Sequence, residues 1–136
     1  MKPAPDRDST PWWAALAEHR LLLQRCSTCA VLRWPARAIC NRCGGLDWSW
    51  LEATGHGTVA SYVVTHRTFS PAHQPPHVVV LARLEDQPDL LLPGGWDGAR
   101  DGKDLTVGMP IQASYIDVEP GSALLSWRPR EKEEQA

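Results

Sequence analysis

Two tight pairs of cysteines constrain this chain more than any other feature. They read Cys26-Ser27-Thr28-Cys29 and, ten residues later, Cys40-Asn41-Arg42-Cys43-Gly44-Gly45. Each Cys-x-x-Cys turn aims two sulfurs at one point, and two such turns supply four thiolates about 2.3 Å from a tetrahedral metal ion. The stretch between the pairs is short, but it is long enough for the out-and-back strand of a compact ribbon. Zinc is the expected ion at Cys26, Cys29, Cys40 and Cys43; iron takes the same ligands in a rubredoxin-like site and is less favoured. Four cysteines close the coordination shell, which describes a structural staple and not a reaction centre. A thioredoxin-like redox role needs one pair opening a helix in a βαβ context, and that pattern is absent.

The rest of the chain reads as strands and turns. Twelve prolines and ten glycines are spread over 136 residues, which favours short strands over long helices. The first nine residues read as a frayed arm. Thr10-Pro11 then opens a short amphipathic helix, with the hydroxyl at the N-cap and proline at the first helical position. Trp12, Trp13, Leu16 and Ala17 share one face of it. Strands are expected at about 21–25, leading into Cys26, at 48–52, and at 57–68, 77–85, 89–94, 110–118 and 123–128. Gly94 to Gly108 holds at most a short turn of helix, and Gly94-Gly95 reads as a glycine turn after a strand. Five short strands avoid exposed edges by closing on themselves, so an OB-type Greek-key barrel is the expected form, with a small sandwich as the rival. The chain then divides into an arm and helix (1–20), a zinc ribbon (21–54), the barrel (55–129) and a disordered tail (130–136). The fold class is mainly β.

Charge narrows the function. Residues 1–54 carry seven Lys/Arg against five Asp/Glu, a net +2, while residues 55–128 carry five against eight, a net −3. A net-acidic main domain is poorly suited to gripping phosphate backbones, so a single-stranded nucleic-acid module is an alternative and not the main expectation. No apolar run approaches the roughly 20 residues of a membrane span. No continuous apolar stretch of the secretory kind follows Met1, so the expected compartment is the cytoplasm, where cysteines serve as metal ligands more often than as disulfides.

Catalytic constellations are hard to find. His66, His73 and His77 lie close in sequence, but without a carboxylate between them to orient a ring, so with His19 and His56 they read as loop and strand-end residues. There is no Gly-x-Ser-x-Gly elbow, dinucleotide fingerprint or phosphate loop. Seven tryptophans are too many for so small a core. Trp12, Trp13, Leu16 and Trp96 are therefore candidates for a partner-binding surface, the alternative being that Trp12 or Trp13 packs the helix onto its own ribbon. Arg25, Arg33, Arg37 and Arg42 surround the cysteines. They read either as the electrostatic complement of a metal–thiolate cluster or as contacts for the phosphates of a nucleotide-bearing ligand or a partner's carboxylates.

The order of these segments carries a resemblance. Trp12-Trp13-Ala14-Ala15-Leu16, Leu21-Leu22-Leu23-Gln24-Arg25-Cys26, the second cysteine pair with Trp50, Gly57-Thr58-Val59-Ala60-Ser61-Tyr62 and Gly108-Met109-Pro110-Ile111 follow one another. Together they resemble the acyl-CoA-associated family that joins a rubredoxin-like zinc ribbon to an OB-fold barrel. The resemblance covers about Trp12 to Pro129. It implies zinc at the four cysteines, no agreed catalytic residue, and hetero-oligomeric partnership with a lipid-transfer-protein-type thiolase or aldolase, or with an acyl-CoA hydratase, in lipid or steroid side-chain metabolism. The implied role is a noncatalytic accessory subunit, with acyl-CoA possible at the interface and Arg33, Arg37 and Arg42 as contacts for its phosphates. Leu92-Pro93-Gly94-Gly95-Trp96 and the segment after it look longer and more polar than the family pattern, which suggests a partner-specific loop.

Overall fold

The computed structural model describes residues 3–67 and 74–130. One helix, α1 (Thr10–Ala17), precedes eight strands: β1 (Leu22–Cys26), β2 (Leu32–Arg33), β3 (Trp48–Glu52), β4 (His56–Thr65), β5 (His77–Leu84), β6 (Leu91–Trp96), β7 (Pro110–Glu119) and β8 (Ser122–Pro129). The first three form a small antiparallel sheet in the order β2-β1-β3, and the other five close into a barrel in the order β4-β5-β6-β8-β7. The barrel is the expected five-stranded closure. Its one parallel seam is the pairing of β6 with β8 at Gly95↔Ser126 and Trp96↔Trp127.

Alternation places the core. Along β5, Val78, Val80, Ala82 and Leu84 turn inward, and along β8 Ala123, Leu125 and Trp127 do the same. The Trp127 indole fills the barrel so fully that a Cβ on Gly94 would lie 2.7 Å from its Nε1. Gly94 therefore sits inside β6 as a point of close approach, not in a turn after it. The expected strand end at Gly94 shifts to Trp96 for that reason. Pro93 is tolerated because β6 engages β8 only from Gly95 onward, so one edge at Pro93 has no ladder bond to lose.

The ribbon and barrel share their core. Trp12, Leu16, Leu21, Leu23 and Leu32 belong to the same buried cluster as Val59, Val80, Leu92, Ile111 and Trp127. The seam is also polar. Gln87, in the β5–β6 connection, accepts from the Leu32 N–H (2.9 Å) and donates to the Leu32 carbonyl (2.8 Å). Its side-chain amide thus pairs with the edge of β2 as a neighbouring strand would. On the other side His19 meets Asp117 of β7 at 2.9 Å and stacks on Tyr115.

Two local expectations change. Before the helix, the Asp6 carboxylate accepts from the Ser9 N–H at 2.8 Å, while the Ser9 hydroxyl accepts from the Asp6 N–H at 3.0 Å. The Ser9 contact holds the Asp6 carboxyl below its ordinary value. Ser9, not Thr10, is then the N-cap, and Pro11 occupies the first turn. The segment between β6 and β7 forms turns that carry Leu105 into the core, pinned where Asp104 accepts from Trp96 Nε1 at 2.9 Å and from the Ala99 N–H at 3.0 Å. The tail reading falls on residues 131–136, outside the described residues.

Candidate metal centre

The two cysteine turns are built alike. Cys26 sends its N–H to the Val31 carbonyl (3.0 Å) while its carbonyl receives the Ala30 N–H (2.9 Å). Cys40 repeats this five and four residues on, with Gly45 (2.9 Å) and Gly44 (2.9 Å). The fifth position of each turn is left-handed, at φ 64° for Ala30 and 76° for Gly44. Glycine suits that position, and Ala30 holds it in the first turn despite its Cβ. Each turn directs backbone N–H groups at its leading sulfur. Those of Cys29 and Thr28 pull the Cys26 thiol down to about 6, and those of Cys43 and Arg42 lower Cys40. The Gly45 N–H acts on Cys43 in the same sense, but the neighbouring Cys26 thiol leads the opposing effects that push Cys43 up to about 11.

All four sulfurs lie within 4.8 Å of one another, with Cys26–Cys43 at 3.5 Å and Cys29–Cys40 at 3.7 Å. A tetrahedral ion bound at about 2.3 Å spaces its sulfurs about 3.8 Å apart, so the cluster fits such an ion. The donor set is all sulfur, which selects zinc or iron over hard cations. Gly45 keeps the space open: a Cβ there would stand 3.3 Å from the Cys43 sulfur and 3.4 Å from that of Cys26.

The other candidate residues separate into inside and outside. Trp12 and Leu16 are buried in the chain's own core, which corrects their reading as surface anchors. The cause is the helix's seat against β8 and β1, where its apolar stripe closes the shared core. Trp13 and Trp96 are half-buried, and no tryptophan is exposed. The apolar side chains that do reach solvent are aliphatic, among them Val63, Val79 and Ile116 on the barrel's outside. Arg33 is only 4% exposed. It donates from Nε to Gln24 Oε1 (2.7 Å) and from Nη2 to the Arg37 carbonyl (2.9 Å), with its guanidinium 5.5 Å from the centre of the Trp48 ring. Arg37 and Arg42 are exposed beside it on one cleft. His19, His56, His66 and His77 do not gather into a site, and His73 lies outside the described residues. Of the barrel's described aromatic residues, Trp127 is fully buried and Tyr115 packs on His19.

Gln24 and Gln87 escaped the sequence reading, although both position the ribbon. Gln24 carries a legible signal, since it shares a strand face with Cys26 two residues on and is polar where that face turns inward. Gln87 has none, because its partner Leu32 lies 55 residues away.

Comparison with known proteins follows the same two-part division. Residues 13–49 match the family model described as ChsH2, rubredoxin-like zinc ribbon domain, and residues 50–115 match ChsH2, C-terminal OB-fold domain. A solved chain from "Ltp2-ChsH2(DUF35) aldolase" superposes with a TM-score of 0.84 at 36% identity, covering 94% of this chain and 98% of that one. A DUF35 protein of unknown function from Sulfolobus solfataricus shares the fold, with a TM-score of 0.62 at 18% identity over 91% of this chain and 86% of that one. The "Probable enoyl-CoA hydratase alpha subunit" of Thermomonospora curvata is 35% identical over 99% of this chain and 41% of the relative. The "3-oxo-4,17-pregnadiene-20-carboxyl-CoA hydratase alpha subunit" of Mycobacterium tuberculosis is 32% identical over 96% of this chain and 40% of the relative. The chain thus spans about two-fifths of the length of these two relatives.

Proposed function

This chain belongs to the ChsH2 (DUF35) family, and on that premise we propose that it is a noncatalytic subunit supporting a thiolase-fold enzyme that acts on acyl-CoA thioesters by carbon–carbon bond cleavage. The observation that carries this reading is the match to the ChsH2(DUF35) chain of an Ltp2 aldolase over nearly the full length of both chains. The chemistry of the chain agrees with it. Four sulfurs converging on one point leave no open ligand position for a reacting group, and the histidines of the described residues stand apart. The four cysteines would hold one zinc ion, which would cross-link the ribbon. The chain's own N–H groups favour the thiolates that such an ion requires.

In this role the partner contributes the reacting groups, and this chain covers apolar surface of the partner and borders its substrate entrance. Co-expression with a thiolase-like protein from the same organism tests the reading. The two should elute as one complex, and the partner should cleave its acyl-CoA substrate faster with this chain than without it. Separate elution with unchanged activity would refute the reading. A second reading, partnership with an acyl-CoA hydratase, is favoured by the hydratase alpha subunits that contain a matching segment. Co-purification with a hydratase instead would select it.

A further inference from the structure

The ribbon sheet has two outer strands, β2 and β3, and the fold treats their free edges differently. Antiparallel pairing leaves every second residue of an outer strand with its N–H and carbonyl turned away from the sheet. On β2 that residue is Leu32, and Gln87 takes up both groups, at 2.9 and 2.8 Å. The bonds at the two ends of β3 identify its counterparts. The Ser27 N–H donates to the Asp47 carbonyl (3.0 Å) and the Ala53 N–H to the Leu21 carbonyl (2.8 Å). In that register Ser49 and Leu51 bond to Arg25 and Leu23 of β1. Trp48, Trp50 and Glu52 therefore turn their backbone groups outward, and these groups have no hydrogen-bond partner among the described residues. The usual protections are missing here. Trp48-Ser49-Trp50-Leu51 carries no charge and no proline, its register with β1 runs without a bulge, and Ser49 and Leu51 are exposed. An edge left in this state is a template for another strand, which is why folded chains commonly set lysine, proline or a bulge there.

We propose that β3 is a self-association site, where a second copy of this chain adds its own β3 antiparallel to the first. The segment is self-complementary about Trp50. A two-fold axis at that residue sets Trp50 against its own counterpart and Trp48 against Glu52 of the second copy. These are the residues whose backbone groups face outward on both strands, and each facing pair exchanges two bonds. A shift of one residue sets outward groups against inward ones, and a shift of two leaves an outward residue unmatched on each strand. Charge permits the register that satisfies them all. The two Glu52 carboxylates stand four residues apart along the ladder, about 13 Å and beyond a Debye length at physiological salt. Each also keeps its own Arg20, whose Nε donates to Glu52 Oε1 at 2.9 Å. Across the new ladder the two Trp50 rings form an aromatic pair, and Ser49 faces Leu51 of the second copy. The association involves no thiolase-like enzyme and is independent of the function proposed above.

The test uses the isolated full chain loaded with zinc. Sedimentation equilibrium from about 10 μM to about 1 mM should show a monomer passing to a dimer. Amide hydrogen exchange read by NMR at the two ends of that range identifies the surface. The Trp48, Trp50 and Glu52 amides should slow about tenfold or more in the dimer, whereas Ser49 and Leu51, already bonded to β1, should be slow at both. Leu51→Lys keeps the pairing with β1, puts a charge on the new ladder, and should weaken association about tenfold or more. Val63→Lys makes the same change on the exposed outside of β4 and should leave association within about twofold. Metal content identifies a variant whose ribbon has failed. Glu52→Pro, which removes one outward N–H and no bond to β1, then serves in its place. A monomer throughout, a dimer in which those three amides stay fast, or unchanged association of Leu51→Lys would each overturn the proposal. So would equal weakening by Val63→Lys, or protection of the three amides only when a thiolase-like protein is added.

Discussion

Close contact at single residues decides more of this fold than propensity does. Gly94 lies in a strand, where glycine is a poor choice, because the Trp127 indole occupies the space a side chain would need. Gly94→Ala should destabilise the chain by about 1–3 kcal/mol, the usual cost of overpacking, as read by urea denaturation. Gly121→Ala isolates the other kind of cost: unlike Gly94 it has a left-handed backbone, at φ 80°, and nothing within 4 Å of the new Cβ, so its cost should come from the backbone alone. An unchanged midpoint for Gly94→Ala would mean that the indole can move aside. The sequence marks these glycines as punctuation, and only the inward turn of Trp127 reveals which one is a packing residue. The cysteines differ, because their spacing alone carries their chemistry. The structure adds their shared hydrogen-bond plan and the left-handed Ala30.

At the scale of elements, short-range pattern was legible and long-range docking was not. The alternation of β5 and β8 and the turns between strands are written locally, so seven of the eight strands fall where periodicity puts them, within a few residues. The outward reading of Trp12 and Leu16 failed because amphipathicity says that a helix has an apolar face, but not whether that face meets its own barrel or another protein. The polar seam was invisible for a related reason. Gln87 joins β2 through a contact spanning 55 residues. Gln87→Ala leaves the Leu32 N–H and carbonyl without that partner and should cost about 1–3 kcal/mol. Hydrogen exchange at Leu32 should quicken more than at Val80 in the barrel core. Uniform quickening of both would show that the seam opens only with the whole molecule.

Over the whole molecule, the shared core links the four-cysteine site to the barrel. Leu21, Leu23 and Leu32 pack in the same cluster as Val59 and Trp127, so loosening the ribbon uncovers apolar surface of the barrel. Chelation, or Cys40→Ser, should therefore lower the melting temperature of the entire chain in one cooperative step, with a matching loss of one zinc by elemental analysis. Two separate transitions, with the barrel's unmoved, would show that the units are independent. The two-part organisation was readable from the change of texture near Gly55, but the continuity of the core was not, since nothing in a linear pattern says that two modules fuse. Closure of the five barrel strands has its own consequence. The ring is joined at β4–β7 and β6–β8 by only a few residues, so a companion that settles away from the edges beyond those seams meets side chains and not backbone. Substitution on its outer surface can then change the choice of companion while the scaffold stays as it is.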